Sequence, residues 1–320
     1  MRVDGHSHLL LGLTGRDETD RASIELLPSL AGLREGGAAL GLVVGGDRAY
    51  SLPASMGPWP GTLDMLDRLF EALRRDPLSI GIAHEPRDLG NAANSIVLIL
   101  HLEGLELLFD SPFEDPRIAL RLLYELGVRS VQPIGVSGNH FWEDDLCLTH
   151  EAEQILEEVN RLGMVLDLSH MIGSEPAFVE ITRTFPGTIV VSHGVLAGVR
   201  EDSPGLSEQA ARAIASSGGL IGIPLSSHHL TGTKEQASVS DFLLHADALV
   251  QTIGIDHVGI GTDWLDPARL ALPETLFMKG FSDYGDFGIL EDGLKAHGYS
   301  KAACNAILGE NWLRVWGSSL

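Results

Sequence analysis

Histidines and carboxylates recur in this chain at one kind of place, the point where a short apolar run stops. Asp4-Gly5-His6-Ser7-His8, His101-Leu102-Glu103-Gly104, Asp167-Leu168-Ser169-His170, Val191-Ser192-His193-Gly194 and Gly259-Ile260-Gly261-Thr262-Asp263 all follow this rule. Neutral imidazole nitrogens and carboxylate oxygens are donors that zinc and similar divalent ions prefer. His6 and His8 are two residues apart, so on a strand both project to one face, as two ligands of one ion should. Glu103 follows five consecutive apolar residues and His101, where an unpaired carboxylate is costly to bury. A metal partner removes that cost, and so would an arginine. His170 and His193 each follow a serine; either alone reads as a hydrogen-bonded core histidine, whereas beside the other donors both read as ligands. Asp263 is the candidate general base, able to take a proton from an activated water. Its structural alternative is an N-cap of the following loop, a role that Asp266 could fill. The chemistry suggested is metal-dependent hydrolysis.

Such residues, far apart in sequence, need elements that bring them together. Eight β-branched or apolar runs alternate with amphipathic stretches: Met1–His8, Ala39–Gly45, Ser95–Glu103, Val128–Ile134, Met164–Asp167, Thr188–Ser192, Gly219–Pro224 and His257–Thr262. Several are apolar on both faces, as interior parallel strands are. Helical spacing predicts helices over Gly61–Arg75, Pro116–Leu126, His150–Leu162, Glu175–Thr184, Leu206–Ser217 and Val239–Ile253, with Gly127, Gly163 and Gly218 as stops. The pattern predicts an α/β fold, a (β/α)8 TIM barrel, with the metal site at the C-terminal rim of the strands. Leu78–His84 reads as an accessory strand. Asp266–Asp286 follows the last strand and is expected to contribute a lid or binding element to the rim. Gly288–His297 and Lys301–Val315 are expected to close the barrel, and residues 1–320 to form one domain. His84, His150, His245, His257 and His297 read as structural, while His140, His228 and His229 fall on rim loops.

Composition excludes several functions. The chain has 320 residues, 44% of them hydrophobic, enough for a large core. Its 22 Lys and Arg against 44 Asp and Glu give a formal charge of -22, which repels phosphate backbones and anionic lipid surfaces. No nucleic acid and no membrane are expected as partners. Cys147 and Cys304 are the only cysteines, so there is no disulfide framework. The first motif begins three residues after Met1, leaving no room for a secretory leader ahead of it, and no apolar run approaches the ~20 residues of a spanning helix. A cytoplasmic protein is the expectation, and a homo-oligomer stays open.

Together the motifs and the text between them resemble the membrane (renal) dipeptidase family of the amidohydrolase superfamily. The likeness is carried by Asp4-Gly5-His6, Leu30–Gly46, Glu103-Gly104, Leu156–His170, Ser192-His193 and Gly309–Val315. It implies two zinc ions bridged by Glu103, with His6 and His8 on one ion and His170 and His193 on the other. It also implies cleavage of dipeptides or similar small amides by a hydroxide bridging the ions, with Asp263 handling the proton. A carboxylated lysine bridge, used by many relatives, has no candidate here, because the first lysine is Lys234. Arg200 resembles the arginine that holds the substrate carboxylate, and Asn139, His140 and His228 are further expected substrate contacts. Two departures stand out. His8 occupies a position where the family usually has Asp, which makes the site one unit more positive and should favour anionic substrates. Val136 occupies the place of a histidine that steadies the oxyanion, leaving His140, His228 or His229 to replace it. The alternatives are a hydrolase of another small amide, ester or lactone, and a non-catalytic metal-binding homologue.

Overall fold

A computed structural model describes residues 1–11, 38–47, 57–75, 80–93, 95–135, 142–144, 147–171, 175–201 and 204–320. Its strands are β1 (Arg2–Ser7), β2 (Ala38–Gly46), β3 (Ile80–Ile82), β4 (Ile96–Glu103), β5 (Val128–Gln132), β6 (Trp142–Asp144), β7 (Cys147–Leu148), β8 (Val165–Asp167), β9 (Ile189–Val190), β10 (Ile221–Ile223) and β11 (Val258–Ile260). The order β1-β2-β4-β5-β8-β9 is parallel throughout, and β10 pairs with β11. Backbone bonds close the ring at both gaps. Val191 N–H donates to the Leu220 carbonyl at 2.9 Å and the Val191 carbonyl accepts Gly222 N–H at 2.8 Å, joining β9 to β10. At the other seam Asp263 N–H donates to the His6 carbonyl at 3.0 Å and His8 N–H to the Trp264 carbonyl at 2.9 Å. The result is the (β/α)8 barrel expected, its strands buried along β2, β4 and β5 because helices cover the outer face.

The helices follow their predicted spans to within a few residues at either end. Asp115, Thr149 and Ser207 accept N–H groups of the first turns of Pro116–Glu125, His150–Arg161 and Glu208–Ser216, which stops fraying where loop becomes helix. Gly127, Gly163 and Gly218 take positive φ, as helix stops require. The accessory strand is β3; it pairs with the first half of β4, and β5 takes over that edge beyond Leu100.

One segment differs from expectation and another gains detail. The stretch after β11, expected to contribute a lid or binding element, is packed onto the barrel: Phe277, Met278, Phe281, Tyr284 and Phe287 are buried. The Trp264 ring centre lies 4.5 Å from that of Phe277, tilted, and 5.2 Å from that of Phe281, edge to face, and Met278 N–H donates to the Leu225 carbonyl at 2.9 Å. Burial of so many aromatic rings holds the stretch against the barrel. Lys301–Val315, read as one helix, is instead Lys301–Asn305, a π-turn at Ala306–Glu310 and a helix Asn311–Gly317. The wider turn delivers Trp312 to the barrel wall, where its indole N–H donates to the Ile260 carbonyl at 2.7 Å.

Gly5 makes room for that indole. A Cβ there would fall 1.9 Å from Trp312 Cζ2, and Trp312 is buried at 1% exposure. Gly5→Ala is therefore expected to cost ~3 kcal/mol or more, at the upper end of overpacking, and to displace the adjacent His6. Denaturant unfolding checks this, and a loss under ~1 kcal/mol would mean that the indole can move aside.

Candidate active site

The strand ends bring the candidate ligands to one point. His6 Nε2 and His8 Nε2 are 3.2 Å apart, and Glu103 Oε2 lies 2.9 Å from the first and 3.0 Å from the second. A second pair sits beside them: His193 Nε2 and His170 Nε2 are 3.0 Å apart, with Glu103 Oε1 3.8 Å from His170 Nε2. Glu103 thus turns Oε2 to the first pair and Oε1 toward His170 of the second. Asp263 Oδ1 is 3.2 Å from His8 Nε2, and its side chain keeps 21% exposure whereas Glu103 has 1%. The donors fit a metal. Nitrogen and oxygen lone pairs converge at separations near the ~3.3 Å edge of a tetrahedron with zinc–nitrogen bonds of ~2.05 Å. His6, His8 and Glu103 lie within ion-holding distance of one another, and so do His6, Asp167 and His193.

Local backbone sets these directions. His170 has φ 67° and Asp263 φ 56°, a left-handed conformation that non-glycine residues adopt at a cost. In both, the turn lifts the side chain from the strand end toward the cluster. Asp4 fastens the barrel seam behind them. Its carboxylate accepts Thr262 N–H at 2.7 Å, the Thr262 hydroxyl at 2.6 Å and the Tyr284 hydroxyl at 2.6 Å, tying β1 with His6 and His8 to the strand that ends in Asp263. Burial pushes the Asp4 carboxyl up to about 6 against the pull of these donors.

Electrostatics divide the cluster. Burial drives His193 well below the usual imidazole range, so it is neutral and offers a lone pair. Burial also pulls His8 down, yet Glu103 and Asp263 outweigh it and raise His8 to about 10. Glu103 and Asp263 are both depressed although burial opposes ionisation, because the surrounding imidazoles favour the carboxylates. Beneath the cluster His101, lowered to about 4 by burial, binds Ser130 Oγ through Nδ1 at 2.9 Å and sets its ring 5.0 Å from that of His6. His101 had a signal in the sequence: two residues before Glu103 on a strand, it faces the same interior.

The expected substrate contacts fare differently. Arg200 donates to Asp241, beside a surface cavity of about 460 Å³ lined also by Thr231, Thr233 and Gln236. Asp241 lies in the first turn of the helix Val239–Ile253, and nothing local in sequence signals the pair. His228 is exposed, whereas the next residue, His229, turns inward to place its ring 6.3 Å from that of His193. Ser226 Oγ holds His229 Nδ1 at 2.5 Å, and burial lowers its pKa, which keeps it neutral. The helix Ser227–Thr231 accounts for the exchange, since neighbouring residues on a helix point about 100° apart. Asn139, His140 and Val136 lie outside the described residues. Two of the histidines read as structural bind backbone carbonyls: His245 that of Leu230 at 3.0 Å, and His257 that of Gly219 at 2.7 Å.

Known proteins carry the same arrangement of elements. Residues 58–319 match the family model of membrane dipeptidase, peptidase family M19. A Klebsiella pneumoniae protein described as an uncharacterized protein in the pqqA 5′ region is 29% identical over 234 residues, covering 69% of this chain and 81% of that one. Dipeptidase 3 of Mus musculus is 27% identical over 208 residues, 62% of this chain but 40% of that protein, so the chain spans less than half of its length. Among solved structures, a metallo peptidase from Rhodobacter sphaeroides, liganded with a phosphinate mimic of L-Ala-D-Ala, superposes with a TM-score of 0.79 at 23% identity, over 100% of this chain and 99% of that one. The family match takes in Glu103, His170, His193 and Asp263, while His6 and His8 precede it and join the site through the fold. The chain belongs to the membrane dipeptidase family, peptidase family M19.

Proposed function

We propose that this protein is a binuclear metal-dependent hydrolase that cleaves the amide bond of dipeptides or similarly small substrates. The observation that carries the reading is Glu103, whose Oε2 faces His6 and His8 while its Oε1 points toward His170, the neighbour of His193. His6, His8 and Glu103 would hold one divalent ion, and Glu103, His170 and His193 the other; zinc suits these donors best. Bound there, two ions supply Lewis acidity that polarises a carbonyl and acidifies water. The rest falls to side chains. Asp263, held ionised beside His8 and partly exposed, takes the proton of the attacking water and returns it to the leaving amine. His229, neutral and facing the same space as His193, stands where an N–H donor can meet the oxyanion that Val136 cannot serve. Among the described residues no helix is long and apolar enough to cross a membrane, and the strongly acidic surface suits a small substrate better than a nucleic acid.

A second reading, a hydrolase of a neutral small amide, ester or lactone, is favoured by one observation. Arg200 is already paired with Asp241, so a substrate carboxylate would have to displace that partner. Hydrolysis of L-X-D-Y and L-X-L-Y dipeptides compared with their C-terminal amides separates the two. If Arg200 receives the carboxylate, the amides should be cleaved ~10- to 100-fold more slowly, and Arg200→Ala should erase the difference. Equal rates for acids and amides, unchanged in Arg200→Ala, would move the assignment to neutral substrates.

A further inference from the structure

Behind the ligand cluster lies a row of buried hydroxyls that metal binding alone does not use. Ser192, just past β9, places Oγ 2.9 Å from His6 Nδ1 and 3.0 Å from His193 Nδ1. These are the ring nitrogens turned away from the cluster; the Nε2 atoms of the same rings face Glu103 and His170. Ser192 Oγ is also 3.2 Å from Ser169 Oγ, which donates to Asp167 Oδ1 at 2.7 Å. That carboxylate oxygen further accepts the backbone N–H groups of Ser169 at 3.0 Å and Ser192 at 2.9 Å. Ser192 is 2% exposed, and Ser169 and Asp167 are fully buried.

Only one placement of hydrogens satisfies the row. A carboxylate accepts and never donates, so the single hydrogen of Ser169 goes to Asp167. Ser169 Oγ is then an acceptor, taking His193 N–H at 3.2 Å and the hydroxyl hydrogen of Ser192. With its hydrogen spent, Ser192 Oγ has two lone pairs left, and two imidazole Nδ1 atoms stand in front of them. Both rings therefore donate from Nδ1, so that with an ion bound each Nε2 is the free lone pair; without one, Glu103 Oε2, 2.9 Å from His6 Nε2, draws a hydrogen there as well.

We propose that Ser192 is a shared positioning residue for both halves of the metal centre: one hydroxyl, oriented by Ser169 and Asp167, holds His6 and His193 in the tautomer and ring orientation in which Nε2 can ligate. The inference rests on the assignment of His6 to one ion and His193 to the other. Metal-binding histidines ordinarily donate their second N–H to an oxygen of their own. Here a single oxygen serves one ligand from each ion, so a fault at Ser192 reaches both.

The test is a zinc titration against a competing chelator, with Ser192→Ala and Ser169→Ala beside the wild type. Loss of a second-layer partner typically weakens a site ~10- to 100-fold, and Ser192→Ala should weaken both equivalents to that extent. Ser169→Ala should weaken both by a smaller common factor, since Ser192 is then free to turn its hydrogen toward either ring. In zinc-loaded protein labelled with ¹⁵N-histidine, the Nδ1–H protons of His6 and His193 should both shift and exchange faster in Ser192→Ala. Should that variant fail to fold, Ser169→Ala decides by the same criterion. A loss confined to one equivalent, or no loss in either variant, overturns the shared role while leaving the two-ion reading intact. A wild type that takes up fewer than two equivalents overturns both.

Discussion

Glu103→Gln is expected to abolish hydrolysis and weaken metal binding ~10²- to 10⁴-fold, although the substitution changes no heavy-atom shape. The figure follows from removing one member of a buried charge set, which costs ~3–5 kcal/mol, or roughly two to nearly four decades in affinity. Both equivalents should suffer, because Glu103 Oε2 faces His6 and His8 while Oε1 faces His170. Calorimetric titration with zinc reads the affinities, and initial rates on a dipeptide read the activity. The same variant has a signature in protein stripped of metal. Burial lowers His8, but Glu103 and Asp263 raise it to about 10, above its unfolded value of 6.5. A raised folded pKa contributes stability that is complete below 6.5 and is lost as pH climbs through 10. The stripped wild type should therefore lose thermal stability between those limits, and Glu103→Gln should show a flatter profile. A Glu103→Gln protein that keeps both its zinc affinity and its alkaline slope would refute the role given to this carboxylate.

Asp263→Asn should leave two metal equivalents in place and lower kcat ~10²- to 10⁴-fold, the range by which a positioned general base accelerates reactions. The expectation rests on placement. Asp263 sits 3.2 Å from His8 Nε2, is partly exposed toward the mouth, and is held there by a left-handed backbone turn and by its N–H bond to the His6 carbonyl. The amide keeps the shape and removes the basic oxygen. Since Asp263 is depressed by its imidazole neighbours against burial, the acid limb of the wild-type rate profile should lie below neutrality. A variant with normal kcat would shift Asp263 from proton transfer to a structural role. Loss of one metal equivalent in Asp263→Asn would make it a ligand instead.

Strand-end histidines were legible because a parallel barrel converts a position at the end of an apolar run into a position on one rim. His6, His8, Glu103, His170, His193 and Asp263 meet for that reason, and the strands carrying them fall within the predicted runs. Some runs outlast their strands, as Val128–Ile134 does the strand Val128–Gln132, because the chain leaves the ladder while largely buried. What sequence could not reveal were pairings fixed only by three-dimensional neighbours. Arg200 and Asp241 belong to separate segments, so the carboxylate role expected of Arg200 gave no hint of a resident partner. The exchange of His228 for His229 depends on the rotation of a helix too short to display a periodic face. Ser192 lay in plain view within Val191-Ser192-His193-Gly194, yet its link to His6 spans 186 residues. The packing of the stretch after β11, with Trp264 against Phe277 and Phe281, likewise depends on neighbours met only in the fold.

Zinc stoichiometry with concurrent activity tests the central claim most directly: strip the protein with a chelator, add zinc in steps, and follow bound metal and dipeptide hydrolysis together. Two equivalents bound per chain, with hydrolysis absent from the stripped protein and complete only as the second is filled, is the predicted result. Full hydrolysis by protein that holds no metal, or uptake of no zinc at all, would contradict it.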